Sequence, residues 1–347
     1  MQIVYGVKNF DAEMLAAYAR LFPEDVEEKS PARLAWRFAD APHGPGFFAV
    51  ARDADAADQI VGFVGFVGSR VRTPSGTVDS YQAVDLIVDP ACRGRGVFAG
   101  LGDIALAHAA TAGAKMVWGF PNPNAAPGWF GRFTWLNFGT APFVMKPLRT
   151  GYFLRRFSSA LGRINLPLAF SRRPGEEPEV VERFDASVDD LWSRFAPQAG
   201  VAVVRDSEWL NWRLCDRPQG GYRNVVRRDA QGQIEALVST VLVEKHGGRI
   251  LYVMEAMGRE PAGKAVSGLL RAEIARAARS GADAVLAWCA PDSPNRKAFR
   301  RAGFFPLPDR LRPITINFGA KPLSDDLPEE ARRGRSWYLS YVDSDTN

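Results

Sequence analysis

In the run Asp89-Pro90-Ala91-Cys92-Arg93-Gly94-Arg95-Gly96-Val97-Phe98, residue types and spacing point most directly to chemistry. It follows an apolar stretch, Val84 to Val88, that reads as a strand, and it leads into a helical pattern. A loop that opens a helix presents main-chain N–H groups with no intrahelical acceptor, together with the positive end of the helix dipole. Gly94 and Gly96 let the main chain approach an anion closely, and Arg93 and Arg95 add positive charge. The ligand that suits such a loop is a pyrophosphate. Neither the Gly-x-x-x-x-Gly-Lys-Ser/Thr nor the Gly-x-Gly-x-x-Gly spacing is met, so nucleotide hydrolysis and hydride transfer lose their support.

The elements that must position this loop form a strand–helix–strand series. Val84 to Val88 is a strand. Val97 to Ala112 reads as a helix because Val97, Leu101, Ile104 and His108 fall three or four apart, and Lys115 to Phe120 is the next strand. The series recurs later as Leu251 to Met257, Gly263 to Arg279 with Val266, Leu269, Leu270 and Ile274 on one face, and Ala284 to Trp288. The recurrence extends to sequence: Leu34 to Gly44 returns without gaps as Leu210 to Gly220, with Leu, Trp, Arg, Asp, Pro and Gly kept at matching positions. Apolar runs rich in β-formers follow each copy, Ile60 to Val67 and Ile234 to Val243. Two copies of one domain are expected, over 1–148 and 180–347. Residues 149–179, rich in Arg and Pro, make the connector. Tyr152 to Arg163 within it has the pattern of a basic amphipathic helix, which either packs on a domain or docks on a membrane or an acidic carrier protein.

Composition narrows the class. The chain has 347 residues, 46% hydrophobic and 24% charged, in keeping with two globular domains. No run of about 18 apolar residues is present and the start lacks a basic stretch followed by an apolar core, so no membrane span and a cytoplasmic location are expected. Cys92, Cys215 and Cys289 stand far apart, accompanied by three histidines, which argues against a disulfide framework and against a metal site. The net charge of +5 suits an anionic partner without choosing among a phosphate-rich coenzyme, an acidic carrier protein, nucleic acid and lipid.

The loop resembles the coenzyme-binding motif of the GNAT superfamily, Arg/Gln-x-x-Gly-x-Gly/Ala: Arg93 matches the first position and Gly96 the middle glycine, while Phe98 departs from the last small residue. Gly119 to Asn124 resembles the next GNAT strand and its polar exit, and Pro294 to Phe304 resembles an Asn-bearing helix and Gly-Phe turn. The resemblance spans nearly the whole chain and is closest to the tandem GNAT acyltransferases. It implies an α/β (α+β) fold of two GNAT-like domains, each with a mixed, mostly antiparallel sheet flanked by helices. It also implies N-acyl transfer, acetyl first among the groups, from acetyl-CoA or another acyl-CoA to a small-molecule amine acceptor, with no metal. Leu86, Ile87 and Val88 would pair with the pantetheine arm. The main chain of Arg93, Gly94, Arg95, Gly96, Val97 and Phe98 would hold the pyrophosphate, and Asn122 or Asn124 would bond the pantetheine or orient the acyl carbonyl. In the second copy Gly258 to Lys264 lacks the spacing and contains Pro261, so its own coenzyme site is expected to be lost.

Amide formation from a thioester needs a neutral amine, a path for its proton and donors for the oxyanion. Asp85 is the first candidate base, because it lies on the strand that would flank the thioester, where an apolar setting would raise its pKa; the other reading is an ion-pair partner. Tyr81, with Asp79, is a candidate to line the acceptor pocket. The tyrosine that often serves GNAT enzymes as an acid has no counterpart after the Asn segment, where Trp129, Phe130, Phe133 and Trp135 stand, either as pocket wall or as core. Trp36-Arg37 and Trp212-Arg213 read as structural, His108 as a core histidine, and Cys92 as no nucleophile. The end of the chain, Ser336 to Asp345, alternates like a last strand with an exposed acidic end. The rival donor is a longer acyl group on coenzyme A or on an acyl carrier protein docked at Arg155, Arg156 and Arg163, and the rival class is a non-catalytic coenzyme-binding scaffold. Transfer from tRNA has no use for a pyrophosphate loop, and nucleic-acid binding lacks an interleaved Arg and aromatic patch.

Overall fold

A computed structural model of the chain describes residues 2–25, 27–154, 158, 161–168, 177–245, 247–259, 263–312 and 314–344. In chain order the first copy comprises β1 (Ile3–Lys8), α1 (Ala12–Leu21), α2 (Pro31–Phe38), β2 (Phe47–Asp53), β3 (Gln59–Thr73), β4 (Gly76–Val88), α3 (Val97–Thr111), β5 (Met116–Gly119), β6 (Leu136–Thr140) and β7 (Phe143–Pro147). A short helix, α4 (Thr150–Leu154), follows. The second copy comprises β8 (Glu179–Val181), α5 (Ser187–Ala199), β9 (Ala202–Val203), α6 (Ser207–Leu214), β10 (Arg223–Arg228), β11 (Ile234–Lys245), β12 (Gly248–Gly258), α7 (Lys264–Arg279), β13 (Ala284–Trp288), α8 (Arg296–Arg301), β14 (Phe305–Pro306) and β15 (Asn317–Pro322). The repeated segments Leu34–Gly44 and Leu210–Gly220 thus begin in α2 and α6, the same element of each copy.

Local chemistry explains where these helices begin. Asp11 accepts a hydrogen bond from the Met14 N–H at 2.9 Å to start α1, and Asp206 does the same for Trp209 in α6 at 2.9 Å. Met14, Ala17, Tyr18 and Leu21 then form the buried stripe of α1. On α3 the buried stripe is Val97, Leu101, Ala105 and Ala109, so His108 stands exposed beside it and not in the core. Its ring meets the edge of Phe47 at 4.5 Å.

Two sheets result, in the orders β1-β2-β3-β4-β5-β15-β6 and β14-β7-β13-β12-β11-β10-β8, with β9 paired to β3. Within each, β4 with β5 and β12 with β13 run parallel, and the other pairings are antiparallel. The architecture is therefore α/β with two mixed, mostly antiparallel sheets flanked by helices. β7, from the first copy, pairs with β13 in the second sheet, and β15, from the second copy, pairs with β5 in the first. Each sheet is completed by a strand from the other half. Both faces of the first sheet are covered: Phe47, Val64 and Val117 pack with α3, while Phe48 and Phe63 pack with α1 and α2. Burial on both sides is why β2 and β3 read as continuous apolar runs.

The chain's end departs from the expected exposed strand. Gly334–Ser336 and Tyr341–Asp343 are short 3₁₀ turns, and Ser340, Asp343 and Ser344 are buried. Asp345 lies outside the described residues, as do Arg155 and Arg156 of the connector, whose helix is described as α4 and a 3₁₀ turn at Leu161–Arg163. No helix among the described residues is long and apolar enough to cross a membrane.

The two copies meet through their repeated tryptophans. The Trp36 indole N–H donates to the Trp212 carbonyl at 2.8 Å, the Trp212 indole donates to the Trp36 carbonyl at 2.9 Å, and the rings stack at 4.7 Å. Arg213 lies over the Trp36 ring at 5.4 Å. Removing the Trp36 side chain takes away a large buried ring and leaves the Trp212 carbonyl without its indole donor. Trp36→Ala should cost about 3–5 kcal/mol of unfolding free energy in urea denaturation. The double variant with Trp212→Ala should cost clearly less than the two singles summed, because the rings share one contact; additive costs would show that the pair is not a unit.

Candidate active site

β4 and β5 pair in parallel only from Ser80↔Met116 to Ala83↔Gly119. Beyond that point they part, and between them opens a cleft of about 440 Å³, bounded by Ala83, Val84, Asp85 and Leu86 on one side and Gly119, Phe120, Pro121 and Asn122 on the other. Phe22, Asp25, Glu28 and Lys29 add to it from the segment between α1 and α2, and Lys245 adds from β11 of the second copy. Trp129 and Trp135 complete the lining; both are buried, so these aromatics serve as wall and core together.

At the mouth of the cleft β4 is bulged. Gly65 pairs with Val84 and Phe63 with Ile87, so Asp85 and Leu86 together stand opposite the single residue Val64. Asp85 carries the left-handed φ of 51°, at a cost of about 1–2 kcal/mol for a residue with a Cβ, although Asp tolerates this region better than most. Its side chain, 7% exposed, is held by three donors: the Tyr18 hydroxyl at 2.9 Å, the Arg37 guanidinium at 3.1 Å, and the Lys29 ammonium.

The expectation of a raised pKa for Asp85 is overturned. Burial pushes the carboxyl up, but the charges of Lys29 and Arg37 and the hydrogen bonds from Lys29 and Tyr18 outweigh it and hold the group below its ordinary value. The stability this contributes is present above the unfolded pKa of about 4 and is lost as pH falls through the lower folded value. Of the two readings of Asp85, the ion-pair partner is what the geometry displays.

β4 leads directly into the glycine loop. Pro90–Cys92 forms a 3₁₀ turn capped by Asp89, and Gly96 is the N-cap of α3 at φ 79° with no side chain closing the helix end. Gly94 has φ 73°, and the space where a side chain would project from either glycine is open for 4 Å. Arg93 folds its Nε back on the Val88 carbonyl at 3.2 Å, while Arg95 is exposed. Val97 is buried under the loop. Phe98 turns onto Trp129 and Phe133, each at 5.5 Å. The departure from a small residue there is matched at Gly128, where a Cβ would fall 2.2 Å from the Phe98 ring.

Among the other residues singled out in sequence, Leu86 and Asn122 reach the cleft with Asp85. Asn122 uses its side-chain oxygen to accept from the N–H groups of Asn124 at 3.0 Å and Ala125 at 2.9 Å, so it shapes the turn, and Asn124 is not in the lining. Ile87 and Val88 pack into the layers on opposite faces of the sheet. Tyr81 packs against Phe47 at 5.0 Å and Phe66 at 6.3 Å, away from the cleft, and burial with the Asp79 charge pushes its phenol up. Tyr18, Lys29 and Lys245 went unrecognised: they stand in no motif, and only the fold carries them to β4. For Arg37 the recurrence of Trp-Arg in both copies was the available signal.

The corresponding space in the second copy is filled. β12 and β13 pair from Ile250↔Ala284 to Tyr252↔Leu286 and then part, as β4 and β5 do. Into that opening the chain places its own segment 338–343. The Tyr338 hydroxyl donates to Glu255 at 2.5 Å, and Tyr341 stacks on Trp288 at 4.7 Å and meets Tyr252 at 5.0 Å. Arg205, fully buried, joins Glu255 at 2.5 Å and Asp343 at 2.6 Å, keeping its charge against the cost of burial. Gly263 still caps α7 with a left-handed φ of 59°, but residues 260–262 of that loop lie outside the described set.

The fold and cleft define a tandem α/β protein with an open cleft, formed where a sheet splits beside the uncapped start of a helix. Residues 8–136 match the model of the acetyltransferase (GNAT) domain. No curated protein sequence matches it significantly. Among solved structures it is similar to a probable N-acyltransferase from Enterococcus faecalis V583, at TM-score 0.60 and 14% identity over 93% of this chain and 73% of that one. It is also similar to the N-myristoyltransferase of Saccharomyces cerevisiae with bound myristoyl-CoA, at 0.61 and 13% over 96% and 85%. A third likeness is to a GCN5-related N-acetyltransferase from Anabaena variabilis ATCC 29413, at 0.64 and 10% over 92% and 73%. At these identities the three likenesses are of fold.

Gly96→Asp should test the loop. It places a side chain where φ is 79° and a negative charge where a phosphate would sit. Calorimetric titration with coenzyme A should show affinity reduced at least about tenfold, the effect of roughly 1.4 kcal/mol; unchanged affinity would show that the loop holds no phosphate.

Proposed function

We propose that the chain transfers an acetyl group from acetyl-CoA to the amine of a small metabolite, by direct attack within a ternary complex. The observation that carries this is the continuity of β4: one strand lines the split-sheet cleft and then delivers the uncapped, glycine-rich start of α3. The open space at Gly94 and Gly96 and the unclosed helix end fit the diphosphate of coenzyme A. In this reading the main chain from Arg93 to Phe98 cradles that diphosphate, the edge of β4 from Leu86 to Val88 takes the pantetheine arm, and Asn122 borders the thioester.

The acceptor enters from the side of Asp25, an exposed carboxylate on the cleft that suits an approaching ammonium. Its neutral amine nitrogen attacks the thioester carbonyl carbon. The carbon–nitrogen bond forms, the carbon–sulfur bond breaks, the nitrogen's proton passes to cleft water, and the departing thiolate takes up a proton as free coenzyme A. Donors at the β4 bulge would stabilise the oxyanion while it lasts. A cleft of about 440 Å³ shared by the pantetheine arm and the acyl group favours a short acyl chain. The likeness to a fold relative that binds myristoyl-CoA makes chain length the first thing to vary.

The experiment is thiol release from acetyl-CoA and longer acyl-CoAs with a panel of amino sugars, amino acids and polyamines, with the acylated product identified by mass. Turnover should be fastest with acetyl-CoA and should vanish in Gly96→Asp. Preference for a long chain would replace the acetyl assignment. Absence of both turnover and coenzyme binding would sink the reading and leave a scaffold.

A further inference from the structure

We infer that Asp85 is a positioning residue: its carboxylate, anchored by Tyr18, Lys29 and Arg37, holds the bulge of β4 in the shape that presents the main chain of Asp85 and Leu86 to the cleft. The inference rests on the acyl-transfer reading above and changes the part that Asp85 plays in it.

The bulge requires a left-handed residue, a place where glycine is the common solution. Here an aspartate stands instead, and its side chain is tied to three separate elements. Tyr18 comes from α1, Lys29 from the segment before α2, and Arg37 from the last turn of α2. A base would need a carboxylate free to take a proton, whereas this one is saturated by two cations and a hydroxyl and is nearly closed to solvent. The bulge also falls on the wall of the cleft, two residues past the end of the β4/β5 pairing.

One of the anchors, Arg37, is itself tied to the second copy. Arg37 adjoins Trp36, whose indole and carbonyl are both engaged by Trp212. The path from the second copy to the cleft therefore runs through Trp212, Trp36, Arg37 and Asp85, each joined to the next by a hydrogen bond or by chain adjacency. Glu28 closes the surroundings of the cluster, paired with Arg33 at 2.8 Å and with Arg217 of the second copy at 3.7 Å.

The test compares Asp85→Gly, which keeps the left-handed backbone without the carboxylate, with Asp85→Ala, which keeps neither, and with Lys29→Met, which keeps the carboxylate and removes one anchor. If Asp85 positions the bulge, Asp85→Gly should retain at least about tenfold more kcat than Asp85→Ala, and Lys29→Met should lower kcat at every pH without moving the acid limb of the profile. If Asp85 is the base, Gly and Ala variants should fall together by about 10²–10⁴, and Lys29→Met should move the acid limb to higher pH because one of the charges holding the carboxyl down has gone. That second pattern overturns the inference. Wild-type turnover is the control for the acyl-transfer reading. Without it, coenzyme A affinity measured by calorimetry still separates the cases, since a disturbed bulge should weaken it in Asp85→Ala more than in Asp85→Gly, and equal affinities would count against positioning. Thermal melts of all three variants exclude simple unfolding.

Discussion

The reciprocal clasp of Trp36 and Trp212 is the contact on which the arrangement of this protein turns. Each indole satisfies the other's carbonyl, so neither polar group is left buried and unpaired, and the stacked rings exclude water from the joint. A contact of this kind needs the same residue at the same place in both copies. It fixes α2 against α6, and with them Arg37 and Arg213, which face in different directions: Arg37 toward Asp85 in the first copy, and Arg213 toward the carbonyls of Val342 and Ser344. One pair of equivalent arginines thereby shapes the open cleft and secures the segment beside it.

The strand exchange makes the same point at the level of sheets. With β15 inserted between β5 and β6, and β7 inserted between β13 and β14, neither copy can complete its sheet alone. The exchange also covers the edges of β5 and β13, strands that would otherwise present unpaired N–H and C=O groups. The cost of separating the copies is then a row of main-chain hydrogen bonds as well as the stacked tryptophans.

Within this near-symmetric frame the two openings have gone separate ways. Both sheets split where parallel pairing ends, so both offer a cleft. In the first copy the cleft stays open and its bulge is held by Asp85 and its three donors. In the second the chain's own Tyr338 and Tyr341 occupy the gap, and Arg205, Glu255 and Asp343 satisfy one another in the interior. A buried ionic network of this sort is weak evidence for stability but strong specification of one arrangement, since a charge left without its partner would be very costly.

Much of the frame was legible in sequence. The repeat of Leu34–Gly44 announced two copies, the period of apolar residues placed α3, α7 and the strands around them, and the glycines and arginines after Val88 marked the loop, because each of these is a local property of the chain. Three features were not legible, and for one reason: they depend on which distant residues meet. A carboxylate in an apolar strand reads as a candidate base until its cations are seen, and Tyr18, Lys29 and Arg37 lie between 48 and 67 residues from Asp85. An acidic end reads as exposed until Arg205 is found beneath it, and His108 reads as core until the exact rotation of α3 is known. The sequence by itself determined the repeated elements and the glycine-rich turn that opens α3, through local periodicity and turn chemistry. The tertiary structure alone decided which cleft is open and what charge surrounds Asp85, since burial and ion pairing arise only when separate segments are brought together.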